Sequence, residues 1–355
     1  MSQKTNIQWC HSSSNPVMGC LGCELWPKPA KIRVEMAREL KSIAPRTNHK
    51  LTKVIKKVIG QRKTGEIDRD REWIADQLQN WLGLTDQQRD ILVDVIRRLC
   101  KCYAGKLGTM RAGHPGYADG FDEPKMFPGR MAVAAKWPGP SPAERLEKPW
   151  LDGAPRLIFV SDMGDALSNN VPFGYLHDQI ITNVTSDAGQ RHLWLWLTKR
   201  PERMAEFGQW LGSRGVSWPE NLVAMTTVTS SSTLNRIDAL RKVPARFRGL
   251  SVEPLFTAVK LDLTGIDWVI VGGGSDVHAE PFLIEWAEDI HAQCKAAGVA
   301  FFLKQLGKNP EHKGLPLKLV HRHGGDWAEW PAHLRVREIP SGFRNYRPAT
   351  EDQSV

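Results

Sequence analysis

The sequence predicts an α/β protein: a full or partial parallel α/β barrel, with a doubly wound open sheet as the alternative, carrying a basic helical insertion near its start. Three observations lead there. After Pro149, short apolar runs alternate with helical segments, the pattern of βαβ units. The runs are continuous rather than alternating, which suits strands buried on both faces of a parallel sheet. Between Lys28 and Lys101 the pattern is instead helix after helix. That stretch holds 18 lysines and arginines against 10 aspartates and glutamates, nearly the whole formal net charge of +9.

In chain order, Asn6 to Cys10 reads as a short first strand, and residues 1–26 as an N-terminal piece ending in a Cys-x-x-Cys. Residues 27–99 read as the insertion. Lys31–Leu40, Leu51–Ile59, Glu72–Leu82 and Thr85–Leu99 have helical character. Thr85 and Gln88 form a capping box, and Ile91, Leu92, Val95, Ile96 and Leu99 recur at helical spacing. Residues 100–320 read as the barrel core, with strands at Leu157–Val160, Leu193–Leu197, Leu222–Met225, Gly249–Val252, Trp268–Val271 and Val299–Leu303. Residues 321–355, rich in Trp, Pro and Arg, read as a tail wrapping the barrel surface.

Composition narrows the class. The chain has 355 residues, 41% hydrophobic and 25% charged, enough for one large core and an appended piece. No apolar run approaches membrane-spanning length. No apolar signal core follows Met1-Ser-Gln-Lys-Thr5, so the expectation is a cytoplasmic protein with reduced thiols. Six cysteines are too few for a disulfide scaffold at this length, and clustered cysteines in a reducing compartment more often bind metal. The basic balance favours a polyanionic partner.

Polar residues follow each strand: Ser161-Asp-Met-Gly-Asp165, Thr198-Lys-Arg200, Thr226-Thr227, Glu253, Gly272-Gly273 and Lys304-Gln305. In α/β folds the carboxyl ends of the strands form the binding face. The cysteines supply the second signal. Cys20 and Cys23 stand in Asn15-Pro-Val-Met-Gly-Cys-Leu-Gly-Cys23, and Cys100-Lys-Cys102 follows the insertion. Four thiolates suit a structural zinc ion, and three suit a 4Fe-4S cluster with one iron open. Buried cysteines can also be plain packing residues. Cys100 shares an apolar helix face with Ile96 and Leu99; Cys10 and Cys294 have packing contexts.

The motifs around Cys20, Cys23 and Cys102-Tyr-Ala104 resemble the signature of a phage-associated three-Cys-motif family. The likeness continues in Phe159-Val-Ser-Asp-Met163, Leu197-Thr-Lys-Arg-Pro-Glu-Arg-Met204 and Leu250-Ser-Val-Glu-Pro-Leu255. It extends through Asp267-Trp-Val-Ile-Val-Gly-Gly273, Cys294-Lys-Ala-Ala-Gly-Val299 and Phe302-Leu-Lys-Gln305. That family is regarded as similar to radical S-adenosylmethionine (SAM) enzymes. The family usually keeps its cysteines in one short loop, whereas here the insertion separates the second from the third.

The resemblance implies a radical-SAM-like barrel in a phage- or prophage-encoded protein of the host cytoplasm, with Cys20, Cys23 and Cys102 as ligands of a 4Fe-4S cluster. SAM would chelate the open iron and be cleaved reductively to a 5′-deoxyadenosyl radical. On that implication Asp162, Met163, Ser251, Glu253, Gly272 and Gly273 are the candidate SAM-binding residues. Lys199, Arg200, Lys304 and Gln305 are candidates for the substrate. Residues 28–99, with Lys50, Lys53, Lys56, Lys57, Arg62 and Lys63, would dock a nucleic acid. The alternative is a non-catalytic nucleic-acid-binding protein with a structural zinc site. A Cys-x-x-Cys redox protein is the weakest reading, because these cysteines do not open a helix after a strand.

Overall fold

The computed structural model describes residues 1–45, 51–276 and 278–347. Lys50 and the tail beyond residue 347 lie outside the described residues. The chain forms two compact units, one of Met1–Val17 with Met126–Val355 and one of Met18–Lys125.

The first unit is built on a seven-stranded parallel sheet: β1 (Ser12–Ser14), β2 (Leu157–Val160), β3 (Leu193–Thr198), β4 (Leu222–Thr227), β5 (Arg248–Val252), β6 (Trp268–Gly272) and β7 (Ala300–Gln305). Each strand pairs with its successor in this series, always in parallel. A doubly wound sheet would reverse direction midway; this one winds one way and curls into a half-barrel.

Strand alternation divides the core in two. One sheet face turns Ile158, Val160, Trp194, Trp196, Leu250, Val269 and Phe301 toward Met204, Phe207 and Leu211 of helix Pro201–Gly212 and toward Ile290 of helix Ile284–Ala297. The other face carries Phe159, Leu195, Met225, Ile270 and Phe302, packed with Trp9, Leu151, Ile339, Phe343 and Tyr346. The tail packs against both faces: Trp330 and Leu334 join the first core, and Ile339, Phe343 and Tyr346 the second. It also takes up the open edge of β7: Leu303 N–H donates to Val336 O and Glu338 N–H to Phe301 O, both at 2.9 Å. Among the described residues no helix is long and apolar enough to cross a membrane.

The first strand lies at Ser12–Ser14, not at Asn6–Cys10. Three serines carry no apolar signal, yet all are buried, their polarity met locally. Ser12 Oγ donates to Gln3 O at 2.7 Å and accepts from Arg156 at 2.8 Å. The Asn6–Cys10 segment instead turns around the buried Lys148 ammonium, which donates to the carbonyls of Thr5, Ile7 and Cys10.

Among its described residues the second unit holds six α-helices: α1 (Pro29–Ile43), α2 (Leu51–Ile59), α3 (Thr64–Arg69), α4 (Arg71–Leu82), α5 (Asp86–Leu99) and α6 (Tyr103–Met110). The Thr85–Gln88 capping box opens α5, with bonds of 3.0 and 3.3 Å. The unit runs past the expected span of 27–99 because its core is anchored outside it. Trp26 is buried, meets Phe121 edge-on at 5.7 Å, and donates from Nε1 to Asp122 at 2.9 Å. Thr64 donates to Pro27 O at 2.7 Å. Cys20, Cys23, Cys100 and Cys102 thus all belong to this unit.

Candidate functional site

The carboxyl ends of β1 and β2 form the first cluster at the mouth of the half-barrel. Asn15 fixes it with both ends of its amide: Nδ2 donates to Asp162 Oδ1, and Oδ1 accepts the Met163 N–H at 2.9 Å. Burial raises the Asp162 carboxyl above its ordinary range, against the hydrogen bonds from Asn15 and Ser13. The Met163 side chain is buried, so this residue contributes packing and a backbone donor.

Between Val160 and Asp162 the backbone turns through Ser161 at φ +73°, a region that strains a residue with a Cβ. Its Oγ is buried and lacks a hydrogen-bond partner among the described residues, as does the Oγ1 of Thr227 at the end of β4. Thr227 pairs in register with the buried Ser251 of β5. A buried hydroxyl without a partner costs about 1–3 kcal/mol, and these two stand at the strand ends where α/β folds bind their ligands.

The ends of β5, β6 and β7 form the second cluster. Glu253 Oε1 accepts from Lys304 Nζ at 2.5 Å and from Gln305 Nε2 at 3.2 Å, and Gln305 also donates to Gly273 O at 3.0 Å. The two glycines make room for the chain's own groups. A Cβ on Gly272 would lie 3.2 Å from the Glu253 carboxyl carbon, and one on Gly273 only 2.4 Å from Leu306 O.

Between these clusters, buried Asp165 organises the turn after β3. It accepts from Thr198 Oγ1 at 2.8 Å, from the Lys199 N–H at 3.1 Å and from Arg200 at 2.9 Å. The Arg200 guanidinium is therefore engaged with Asp165. Asn15, Ser161, Asp165 and Thr227 are the mouth residues that the candidate set leaves out. Their sequence signal is a polar residue at or just past a strand end, which alone does not rank them. A cleft of about 1300 Å³ opens elsewhere, lined by Asp267, Ala300 and Arg337 among others. It contains none of the candidate residues and lies at the amino ends of β6 and β7.

The cysteines occupy the second unit. Cys23 and Trp26 exchange backbone hydrogen bonds of 3.1 and 3.2 Å, and the Leu25 carbonyl between them accepts the N–H groups of Lys101 and Cys102, both at 2.9 Å. This one turn joins the Cys23 and Cys102 segments. Cys20 enters the same core through its N–H bond to Phe121 O at 2.8 Å. Gly19 and Gly22 flank it at φ +91° and +96°, where a Cβ would strike the carbonyls of Phe121, Glu123 and Trp26. Cys102 caps α6, its Sγ accepting the Gly105 N–H at 3.3 Å. Cys100 is fully buried, with burial raising its thiol.

No disulfide joins any of the six cysteines. Among the described residues no group of three or more His, Cys, Asp or Glu side chains is gathered as a metal-ion site. A single zinc ion draws its sulfurs to about 2.3 Å from one centre, whereas a cluster spans several metal–sulfur bonds and takes thiolates set further apart. What the backbone shows for Cys20, Cys23 and Cys102 is that hydrogen bonds tie their three segments into one core; their side chains are not gathered at one point.

Fold and site define the class as an α/β half-barrel protein with a polar mouth and a separate cysteine-bearing helical unit. The chain belongs to the family described as protein of unknown function (DUF5131), which matches residues 94–338. The match takes in Cys102 and six of the seven barrel strands, and leaves out α1–α4, Cys20 and Cys23. No curated protein and no solved structure matches the chain.

Proposed function

We propose that the protein is a radical-SAM-like iron–sulfur protein, with Cys20, Cys23 and Cys102 as cluster ligands and with SAM-binding residues on the half-barrel. The observation that carries this reading is the Leu25 turn, which joins two cysteine segments far apart in the chain. When bound, a 4Fe-4S cluster with an open iron supplies the electron that cleaves the SAM sulfonium.

The protein's own residues bind and orient. The hydroxyls of Ser161 and Thr227 would gain partners in the ribose hydroxyls of SAM. Asp162, whose carboxyl burial holds above its ordinary range, would have that shift opposed by the ammonium group of SAM beside it. Lys304, hydrogen-bonded to Glu253, is a charge-assisted donor for a carboxylate. The mouth positions the ligand and limits water; the difficult chemistry belongs to the cofactor.

The test is calorimetric SAM binding to the full chain, before and after anaerobic reconstitution with iron and sulfide, beside a reductant-dependent assay for 5′-deoxyadenosine. SAM should bind the reconstituted protein and not the apo form. Glu253→Ala should weaken binding without loss of iron. Equal SAM affinity in both forms would remove this version of the reading.

A further inference from the structure

We propose that the outer face of α2 and α4 binds single-stranded nucleic acid. The inference concerns the helical unit alone and is independent of the cluster.

The cations of this unit fall into two groups. Most arginines are neutralised in place. Arg62 pairs with Asp70; Arg71 with Asp68; Arg89 with Glu72, Asp76 and Asp90; and Arg97 with Glu72 and Asp94. Lys53, Lys56 and Lys57 differ. They project from the exposed side of α2, opposite the buried Leu51, Ile55, Val58 and Ile59. None of the three is in an ion pair among the described residues. These three lysines form a positive row on α2, and Lys31, Arg33 and Lys41 add further positive charge on α1.

Beside these lysines stand two tryptophans of α4, Trp73 at 46% and Trp81 at 49% exposure. Lys57 Nζ lies 4.5 Å from the Trp81 ring centre, and Arg62 Cζ lies 4.5 Å from that of Trp73. Arg62 is held still by Asp70 and by the carbonyls of Val58 and Ile59. The two indoles are separated by eight residues, about 12 Å along the helix axis. The result is two half-exposed indoles, each with a cation over one face, and a lysine row alongside.

Stacking platforms combined with phosphate-binding lysines recognise unpaired strands, because every base has a π-face to offer and a duplex hides it. An anionic membrane is the other partner such charge could serve. Membrane binding sets a broad apolar helix face into the bilayer, whereas α2 keeps Leu51, Ile55, Val58 and Ile59 buried. The family match begins at residue 94, so this face belongs to a part of the chain outside it.

The experiment uses the full-length protein as purified. Fluorescence anisotropy of labelled single-stranded DNA and RNA is titrated across salt, with tryptophan quenching read in parallel. We expect binding whose log–log salt slope is about −0.7 per lysine–phosphate contact. The triple variant Lys53→Gln/Lys56→Gln/Lys57→Gln should flatten that slope by about 2. Trp73→Ala and Trp81→Ala should each weaken binding roughly tenfold or more, while Trp73→Phe keeps part of the affinity. Circular dichroism of each variant confirms the fold. Absence of binding at low salt, affinity indifferent to these variants, equal or tighter binding to duplex, or preferential binding to anionic phosphatidylserine vesicles would each overturn the proposal.

Discussion

Replacing Ser161 with glycine should stabilise the half-barrel while weakening what its mouth can bind. Ser161 is held at φ +73°, a conformation that costs a residue with a Cβ about 1–2 kcal/mol. Its buried Oγ without a partner adds about 1–3 kcal/mol. Glycine removes both terms. The opposing term is the extra freedom of glycine in the unfolded chain, about 0.5–1 kcal/mol. The balance favours Ser161→Gly by roughly 1–2 kcal/mol, since these terms overlap and are not fully additive. Urea unfolding followed by circular dichroism measures it, with a higher midpoint and unchanged slope expected. A lower midpoint, by about 1 kcal/mol or more, would show that the hydroxyl holds the fold together. The strain would then not belong to a ligand site.

Three further outcomes follow from particular contacts. His11 Nδ1 accepts the Leu157 N–H at 3.0 Å, and burial pushes its pKa down to about 3 from the ordinary 6.5. The unfolded chain takes up that proton first, so stability is full above pH 6.5. It falls toward pH 3 by up to about 1.4 kcal/mol per unit. His11→Gln should reduce this slope in urea midpoints measured from pH 7 to 5, and an unchanged slope would assign the acid sensitivity to other groups. Gly105→Ala places a Cβ 2.6 Å from the Trp26 ring. It should cost about 1–3 kcal/mol in urea unfolding and lower iron uptake at neighbouring Cys102. Lys304→Met leaves Glu253 with Gln305 as its remaining donor of this pair and should cost about 1–3 kcal/mol, most of it recovered in the double variant Glu253→Gln/Lys304→Met. Equal losses in single and double variants would mean that the pair is not coupled.

The strands from Leu157 onward were legible because a strand buried on both faces must be apolar without interruption. β1 was not, because Ser12–Ser14 is buried by hydrogen bonding rather than by hydrophobicity. Helices α3 and α6 escaped for a related reason. Each carries a glycine early in the helix that lowers local propensity, and each is fixed by packing: Gly65 lies against Thr109, and Gly105 against Trp26. The place of the tail depended on Ile339 and Phe343 entering a core whose other members include Trp9, Leu157 and Leu195, far earlier in the chain.

At the candidate site, residue types were legible and pairings were not. Acids, bases and glycines after the strands pointed to the mouth. Only coordinates show that Arg200 is engaged by Asp165, or that Gly272 admits the Glu253 carboxylate. The orphaned hydroxyls of Ser161 and Thr227 have no sequence signature, since a serine or threonine at a strand end usually finds a partner. The cysteine motif was visible at once. That Cys20, Cys23, Cys100 and Cys102 share one unit depends on Trp26 and Leu25, whose roles are tertiary.

The most direct test of the account is metal content after anaerobic reconstitution, measured in the full chain and in single cysteine variants. The wild-type protein should hold iron and acid-labile sulfide in equal amounts with a brown, oxygen-sensitive absorbance. Cys20→Ser, Cys23→Ser and Cys102→Ser should each lose most of it, while Cys10→Ser, Cys100→Ser and Cys294→Ser retain it. Colourless protein holding zinc, or full iron content in Cys102→Ser with loss in Cys100→Ser, would contradict the assignment of Cys20, Cys23 and Cys102 as cluster ligands.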